Sequence, residues 1–326
     1  ASARSVPWIL GIVVVLAVAL LYEMFSGTNL WEQIFGPVDD LVKRFRGRRW
    51  DLIYRAMGPS RHPLFIAAIL TLLIPWCLSL VANRENRTRF LGVSGTFAGL
   101  LGIIATASRG PLLSIAIATA FGFAERSRKI AITFAVVVTV SLAGLAWKPD
   151  AILGQFDRLT GVDSARVMEV EDSAELYSSS RNRLWVWRIY GPLVLNGGVF
   201  GCGTEALSTF PPNIPGLPTN VETREQIGIV DNSIVLVGLR FGIPGAVLLF
   251  LLMVTGIWSS INQQRLVQTT LGDLESRYLV YAGCGIVALF IQFNLIFLSY
   301  EYAFWLLVHL GVIAGLCSYA KQCLTR

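Results

Sequence analysis

Charge is scarce in this chain. Of its 326 residues, 15% are charged and 54% are hydrophobic, and the apolar residues fall in long blocks rather than at amphipathic spacing. That distribution excludes a soluble globular domain and gives a polytopic membrane protein. Cysteine is as sparse, with five residues. Cys77, Cys284 and Cys317 fall inside apolar runs, Cys323 sits in the basic tail, and only Cys202 lies in a long polar segment, so these are packing residues and not a disulfide framework. The acidic stretch MEVEDSAELY carries Glu169, Glu171, Asp172 and Glu175 with no His or Cys beside them. It is expected to be a solvated face and not a transition-metal site. No metal, cofactor or nucleic-acid partner is expected. The first apolar run, from Pro7, lacks a small-residue cleavage site and is followed by many more, so it reads as a helix and not a signal peptide. The chain opens on Ala1 without an initiator Met, and a fragment of a longer protein, truncated at its N-terminus, is expected.

What is present is a series of spans. A window of about 20 apolar residues, matched to a hydrocarbon core of about 30 Å, predicts an all-α chain with eight of them: 7–25, 63–82, 90–107, 111–124, 130–147, 232–258, 278–299 and 303–320. The compact basic connections RENRTR (84–89) and ERSRK (125–129), the tail KQCLTR and Arg4 then share one side, the cytoplasm. Three parts follow: transmembrane helices over 1–147 with a basic outer segment 26–62, a periplasmic loop with short helices over 148–231, and C-terminal helices over 232–326. The outer segment contains VKRFRGRRWDLIYR, ending at Arg55. Basic residues on that side fit either an amphipathic interfacial helix or a surface for an anionic lipid-linked substrate.

Three outer stretches hold polar groups at one rim. In TASRGPLLS, Ser108 and Arg109 sit between two apolar runs, where an arginine is costly. Gly110 is expected to take an unusual backbone conformation there and Pro111 to open the next helix. The following run has only about fourteen apolar residues, about 21 Å at 1.5 Å each, so the turn is expected to sink below the outer surface. Helix N-terminal amides with Arg109 beside them resemble an anion site; the alternative is an arginine that snorkels to headgroups. In SSSRNRLWVWRIYGPLVLNGGVFGCG, serines precede Arg181, Arg183 and Arg188, which predicts a capped helix on the membrane surface. In DNSIVLVGLRFGIPG, Asp231 and Asn232 stand at the mouth of a span that carries Arg240 and is broken at GIPG.

In this order, TASRGPLL, RNRLWVWRIYGPLVLNGGVFGCG and DNSIVLVGLRFGIPG resemble the bacterial O-antigen ligase and O-antigen polymerase family. MGPSRHPLF, with Arg61, is similar to a glycine-proline stretch of its exopolysaccharide-type members. The resemblance implies a multi-span glycosyltransferase that takes a glycan from undecaprenyl diphosphate at the periplasmic face of the bacterial inner membrane. The acceptor is another glycan repeat unit or lipid A core, and transfer needs no metal and inverts the anomeric centre. Membrane lipids and other polysaccharide-assembly membrane proteins are implied as contacts. Arg109 and Arg183 match the family's arginines, and Gly242 and Gly245 its paired glycines. Asp231 followed by Asn232 departs from the His of ligases, which favours a polymerase. The family's larger number of spans again implies a missing N-terminal part.

The chemistry asks for the same groups. A departing diphosphate gains charge and needs fixed cations, for which the arginine fork is suited. The acceptor hydroxyl needs a base, for which Asp231 is the candidate, the alternative being a helix cap. Asp231, Arg109 and Arg183 are the expected catalytic set; Arg188, Arg181, Asn232, Ser108, Arg61, Arg55 and Arg240 are expected on the substrate; Gly110, Gly242 and Gly245 are structural. Two other classes fit a basic polytopic chain. A transporter would place ionisable groups near the midplane and show internal repeats, and a membrane scaffold would use the outer loop to bind a partner. His309 reads as a hydrogen-bonded packing residue.

Overall fold

The computed structural model describes residues 2–36, 48–49, 53–60, 62–81, 85–124, 132–133, 136, 148, 167–170, 173–176, 180–204, 230, 232–295 and 300–325. It is a helical membrane protein. The helices are α1 (Ser2–Ser26), α2 (Leu30–Phe35), α3 (Pro63–Val81), α4 (Asn86–Ala105), α5 (Arg109–Ala124), α6 (Ser180–Asn196), α7 (Ser233–Asn262), α8 (Gln264–Thr270), α9 (Asp273–Phe293) and α10 (Tyr300–Leu324). Strand among the described residues is limited to two antiparallel hairpins, Arg48–Arg49 with Ile53–Tyr54 and Val167–Val170 with Ser173–Leu176.

Six helices are long and apolar enough to cross a membrane: Trp8–Ser26, Pro63–Val81, Asn86–Ala105, Ser233–Asn262, Asp273–Phe293 and Ala303–Leu324. Each corresponds to a predicted span. The predicted 111–124 is the shorter apolar helix Arg109–Phe123, and 130–147 lies almost wholly outside the described residues. The span predicted over 278–299 instead runs Asp273–Phe293. It begins early because Asp273 and Glu275 occupy its first turn, where carboxylates offset the positive end of the helix dipole.

The described chain forms two compact units, Ala1–Ile130 with Met253–Gln292 and Ser299–Arg326, and Ala131–Leu252 with Phe293–Leu298. The first is built on α3, whose side chains are buried along most of its length. One face of α4 is glycine at 92, 95, 99 and 102, all buried. Without side chains there, α3 and α1 approach closely. A Cβ on Gly92 would lie 2.8 Å from the Cys77 carbonyl, and one on Gly102 would lie 2.8 Å from Leu70 Cδ1. Small residues at this spacing are how helices associate in lipid, where burial of apolar area no longer drives contact. Leu10, Val13 and Leu20 of α1 join Leu70, Leu73, Ile74 and Cys77 of α3 and Ile103 of α4 in one core.

The same unit buries a polar tie. Trp76 Nε1 donates to His309 Nε2 at 2.9 Å, and His309 Nδ1 lies 2.8 Å from the Trp305 carbonyl. Room for the imidazole comes from Gly285, where a Cβ would stand 3.1 Å from its ring. His309 is therefore a hydrogen-bonded packing group joining α3 to α10.

The second unit is centred on α6 and the first half of α7. Val186, Tyr190 and Leu193 of α6 share a core with Val230, Val235, Leu236 and Leu239. Val194 sits over Gly238, where a Cβ would approach its Cγ1 to 2.8 Å.

Candidate functional site

The SRG turn of the first unit is positioned from two sides. Helix α4 ends at Ala105, leaving terminal carbonyls that need donors from elsewhere. Ile103 accepts from the Thr106 N–H and hydroxyl, and Ile104 from the Ala107 N–H. Ala105 accepts from the Ala56 N–H at 3.0 Å. The Thr106 carbonyl accepts from Ser108 Oγ at 3.2 Å and from Arg55 Nε at 3.4 Å. Ala107 is left at φ 49, the positive-φ non-glycine among the described residues. Gly110, expected to hold the unusual conformation, instead lies inside α5, which begins at Arg109. The unusual conformation falls on Ala107 and not on Gly110, directly after two carbonyls bonded by residues about fifty positions away.

The segment Arg55–Ser60 is a non-helical run packed into the same unit. Arg55, Ala56, Met57 and Ser60 are buried. A buried irregular backbone in a membrane protein needs every polar group satisfied, and the partners are visible. The Gly58 N–H donates to Glu23 Oε2 at 2.8 Å, and the Gly58 carbonyl accepts from Asn29 Nδ2 at 2.8 Å. Ser60 Oγ donates to the Met57 and His62 carbonyls. Glu23 and Asn29 were missed by sequence reasoning. A buried carboxylate in an otherwise apolar helix was their signal, since Glu23 is 1% exposed.

In the second unit, Asn232 is buried and caps α7: its Oδ1 accepts from the N–H groups of Ile234 and Val235, both at 3.0 Å. Its Nδ2 reaches the Asn294 carbonyl at 3.4 Å. The cap weighed for Asp231 is thus supplied by its neighbour. Eight residues on, Arg240 is half-buried in α7, and among the described residues its Nε meets no acceptor.

The break expected at GIPG is present. Gly242 lies at φ 71 and ψ −174 within α7, two residues before Pro244. Proline has no N–H for the carbonyl four residues back, here Arg240, and the turn at Gly242 removes the helical donor for Leu239. Both carbonyls are satisfied by the loop that leaves α6: the Cys202 N–H donates to Leu239 at 2.6 Å and the Gly203 N–H to Arg240 at 3.2 Å. The approach leaves no room for a side chain at Gly201, whose Cβ would lie 2.5 Å from the Gly242 nitrogen. A Cβ on Gly242 would collide with the Val199 carbonyl. Gly245 also faces a close neighbour, Phe241 Cβ, at 2.5 Å.

Tyr190 of α6 is buried, its hydroxyl without a partner among the described residues. Burial pushes its pKa up to about 12. Arg183 lies one turn before Val186 on the same helix, and Arg181 and Arg188 also belong to α6; their side chains are outside the described residues. Asp231 and Arg61 lie outside them as well, Asp231 directly following Val230 of the α6–α7 core. Among the described residues no three His, Cys, Asp or Glu side chains gather as a metal site would require.

No curated protein matches the chain. Residues 94–250 match the family model described as O-antigen ligase, a stretch that runs from α4 through the SRG turn, the arginine helix α6 and the Asn232 cap to the break in α7. With its apolar helices, that match supports a multi-pass membrane protein of the O-antigen ligase/polymerase family.

Proposed function

We propose that the chain is a periplasm-facing glycosyltransferase of the bacterial inner membrane that polymerises repeat units of an O-antigen or exopolysaccharide from an undecaprenyl-diphosphate-linked donor. The observation that carries this reading is the coincidence of the matched residues 94–250 with the SRG turn, α6 and the capped, broken start of α7. Family membership supports a glycosyltransferase-like enzyme acting on lipid-linked glycan.

In the proposed reaction, Asp231 accepts the proton of the acceptor sugar hydroxyl as its oxygen attacks the anomeric carbon. The bond from that carbon to the diphosphate oxygen breaks, and its electron pair leaves with the diphosphate. Arg109 and Arg183 meet the charge that develops there. Attack opposite the leaving group inverts the anomeric centre. Diphosphate leaves without protonation, so the pair of carboxylates found in glycosidases is not required. Asp231 in place of the ligases' His favours the polymerase within the family.

Deleting the gene and reading the accumulated glycan tests the proposal. A single repeat unit attached to lipid A core, with long chains lost, is the polymerase outcome. Full-length polymer stranded on undecaprenyl diphosphate would make the chain a ligase instead, and an unaltered glycan profile would remove it from glycan assembly.

A further inference from the structure

Arg55 is 6% exposed, and its Nε is directed at the carbonyl of Thr106. The next residue, Ala56, donates to the carbonyl of Ala105. Two consecutive residues of the Arg55–Ser60 segment therefore occupy two consecutive carbonyls at the end of α4. Those carbonyls immediately precede Ala107, whose φ of 49 is costly for any residue with a Cβ. Ala107 and Ser108 are all that separate this anchor from Arg109, which opens α5. The segment is itself pinned, through Gly58, to Glu23 and Asn29.

We infer that Arg55 is a positioning residue for Arg109, an inference that rests on the transfer reaction proposed above. A guanidinium that stabilises a departing diphosphate must be held in place before the charge develops, since reorganisation during reaction would cancel its benefit. Arg109 stands at the first residue of a helix, where the chain is otherwise free to fray. Arg55 and Ala56 fix the preceding turn by bonds to its carbonyls and hold Ala107 in the left-handed conformation that sets the direction in which α5 starts. Arg55 thus acts through the turn.

The test compares variants of the full chain in detergent or bilayers, using as donor the lipid-diphosphate repeat unit isolated from the deletion strain. Arg55→Met keeps a side chain of similar length and removes the Nε donor, and kcat is expected to fall about tenfold, the equivalent of one lost charge-assisted contact, with KM for the donor and the melting temperature little changed. On an Arg109→Lys background the same change should cost no more than about twofold, because residues acting as a unit are not additive. Ala107→Val, which disfavours positive φ, should lower kcat by a similar factor, whereas Ala107→Gly keeps the turn and should stay within about twofold of the parent. Should Arg55→Met fail to fold, Arg55→Lys and Ala107→Val carry the test. A normal kcat in Arg55→Met, or a loss traced wholly to less folded protein, overturns the inference. Arg109→Gln separates the two levels. If it retains full transfer, the proposed reaction site is wrong; if it is inactive while Arg55→Met is unimpaired, only the positioning role is lost.

Discussion

Gly203 donates its N–H to the carbonyl of Arg240 at 3.2 Å, the carbonyl that Pro244 leaves without a helical donor. Together with the bond from Cys202 to Leu239, it turns a proline defect in α7 into an attachment point for the end of α6. The helix that carries Arg183 and the helix that begins beside Asp231 are joined in this way within one unit.

Gly242→Ala is the sharpest test of that junction. The new Cβ would meet the Val199 carbonyl and a φ of 71 would have to be held by a residue that disfavours it. The backbone penalty alone is about 1 kcal/mol or more, and the clash adds to it. A lowered melting temperature and loss of transfer are expected. Gly191→Ala, inside α6 where nothing lies within 4 Å of the new Cβ, should keep transfer and leave the melting temperature unchanged or raised.

Asp231→Asn should abolish transfer with the protein still folded, because the cap of α7 belongs to Asn232 and survives the change. Asn232→Ala should cost about 1 kcal/mol of stability through the lost cap. Glycan profiles of a complemented deletion strain, read beside thermal unfolding, separate the two. An active, normally expressed Asp231→Asn protein would exclude Asp231 as the base.

These positions show how far the sequence could be read. Long apolar runs gave the spans because one segment's composition settles each of them. The GIPG break was legible because glycine and proline act on their own backbone. The donors that repair it, Cys202 and Gly203, lie some forty residues upstream, and no local pattern announces them. In the same way Ala107 has no sequence signature, since Arg55 and Ala56, whose bonds reach the two carbonyls before it, lie about fifty positions away. Asp231 and Asn232 were recognised as a pair, yet only three-dimensional hydrogen bonding assigned the cap to the second.

Arg109→Lys and Arg183→Lys keep the charge and remove the planar fork. Each is expected to lower transfer by about tenfold or more, the loss of a bidentate phosphate contact. Initial rates with the isolated lipid-linked donor read this directly. Equal rates for Arg and Lys would mean that a point charge suffices.

Tyr190 predicts a pH response of stability. Its folded-state pKa is raised from 10.0 to about 12 by burial, so between those values the folded protein keeps a proton that the unfolded chain has released. Stability should be indifferent to Tyr190 below about pH 10 and should decline as pH rises above it. Tyr190→Phe should abolish that alkaline decline. At neutral pH it should leave stability unchanged or raise it by up to about 1 kcal/mol, since the lost hydroxyl had no partner among the described residues. Unfolding curves at neutral and alkaline pH would show both effects.

The corner where residues 199–203 meet the break in α7 also bears on how the chain tolerates being cut. Main-chain bonds and the shared core of Val186, Tyr190, Leu193, Val235, Leu236 and Leu239 hold α6 to α7 without the peptide link that runs through 205–229. Two coexpressed pieces divided within that stretch would find each other by the same contacts that fold the intact chain, and fragment complementation becomes a practical way to exchange residues 205–229 while leaving both helices in register.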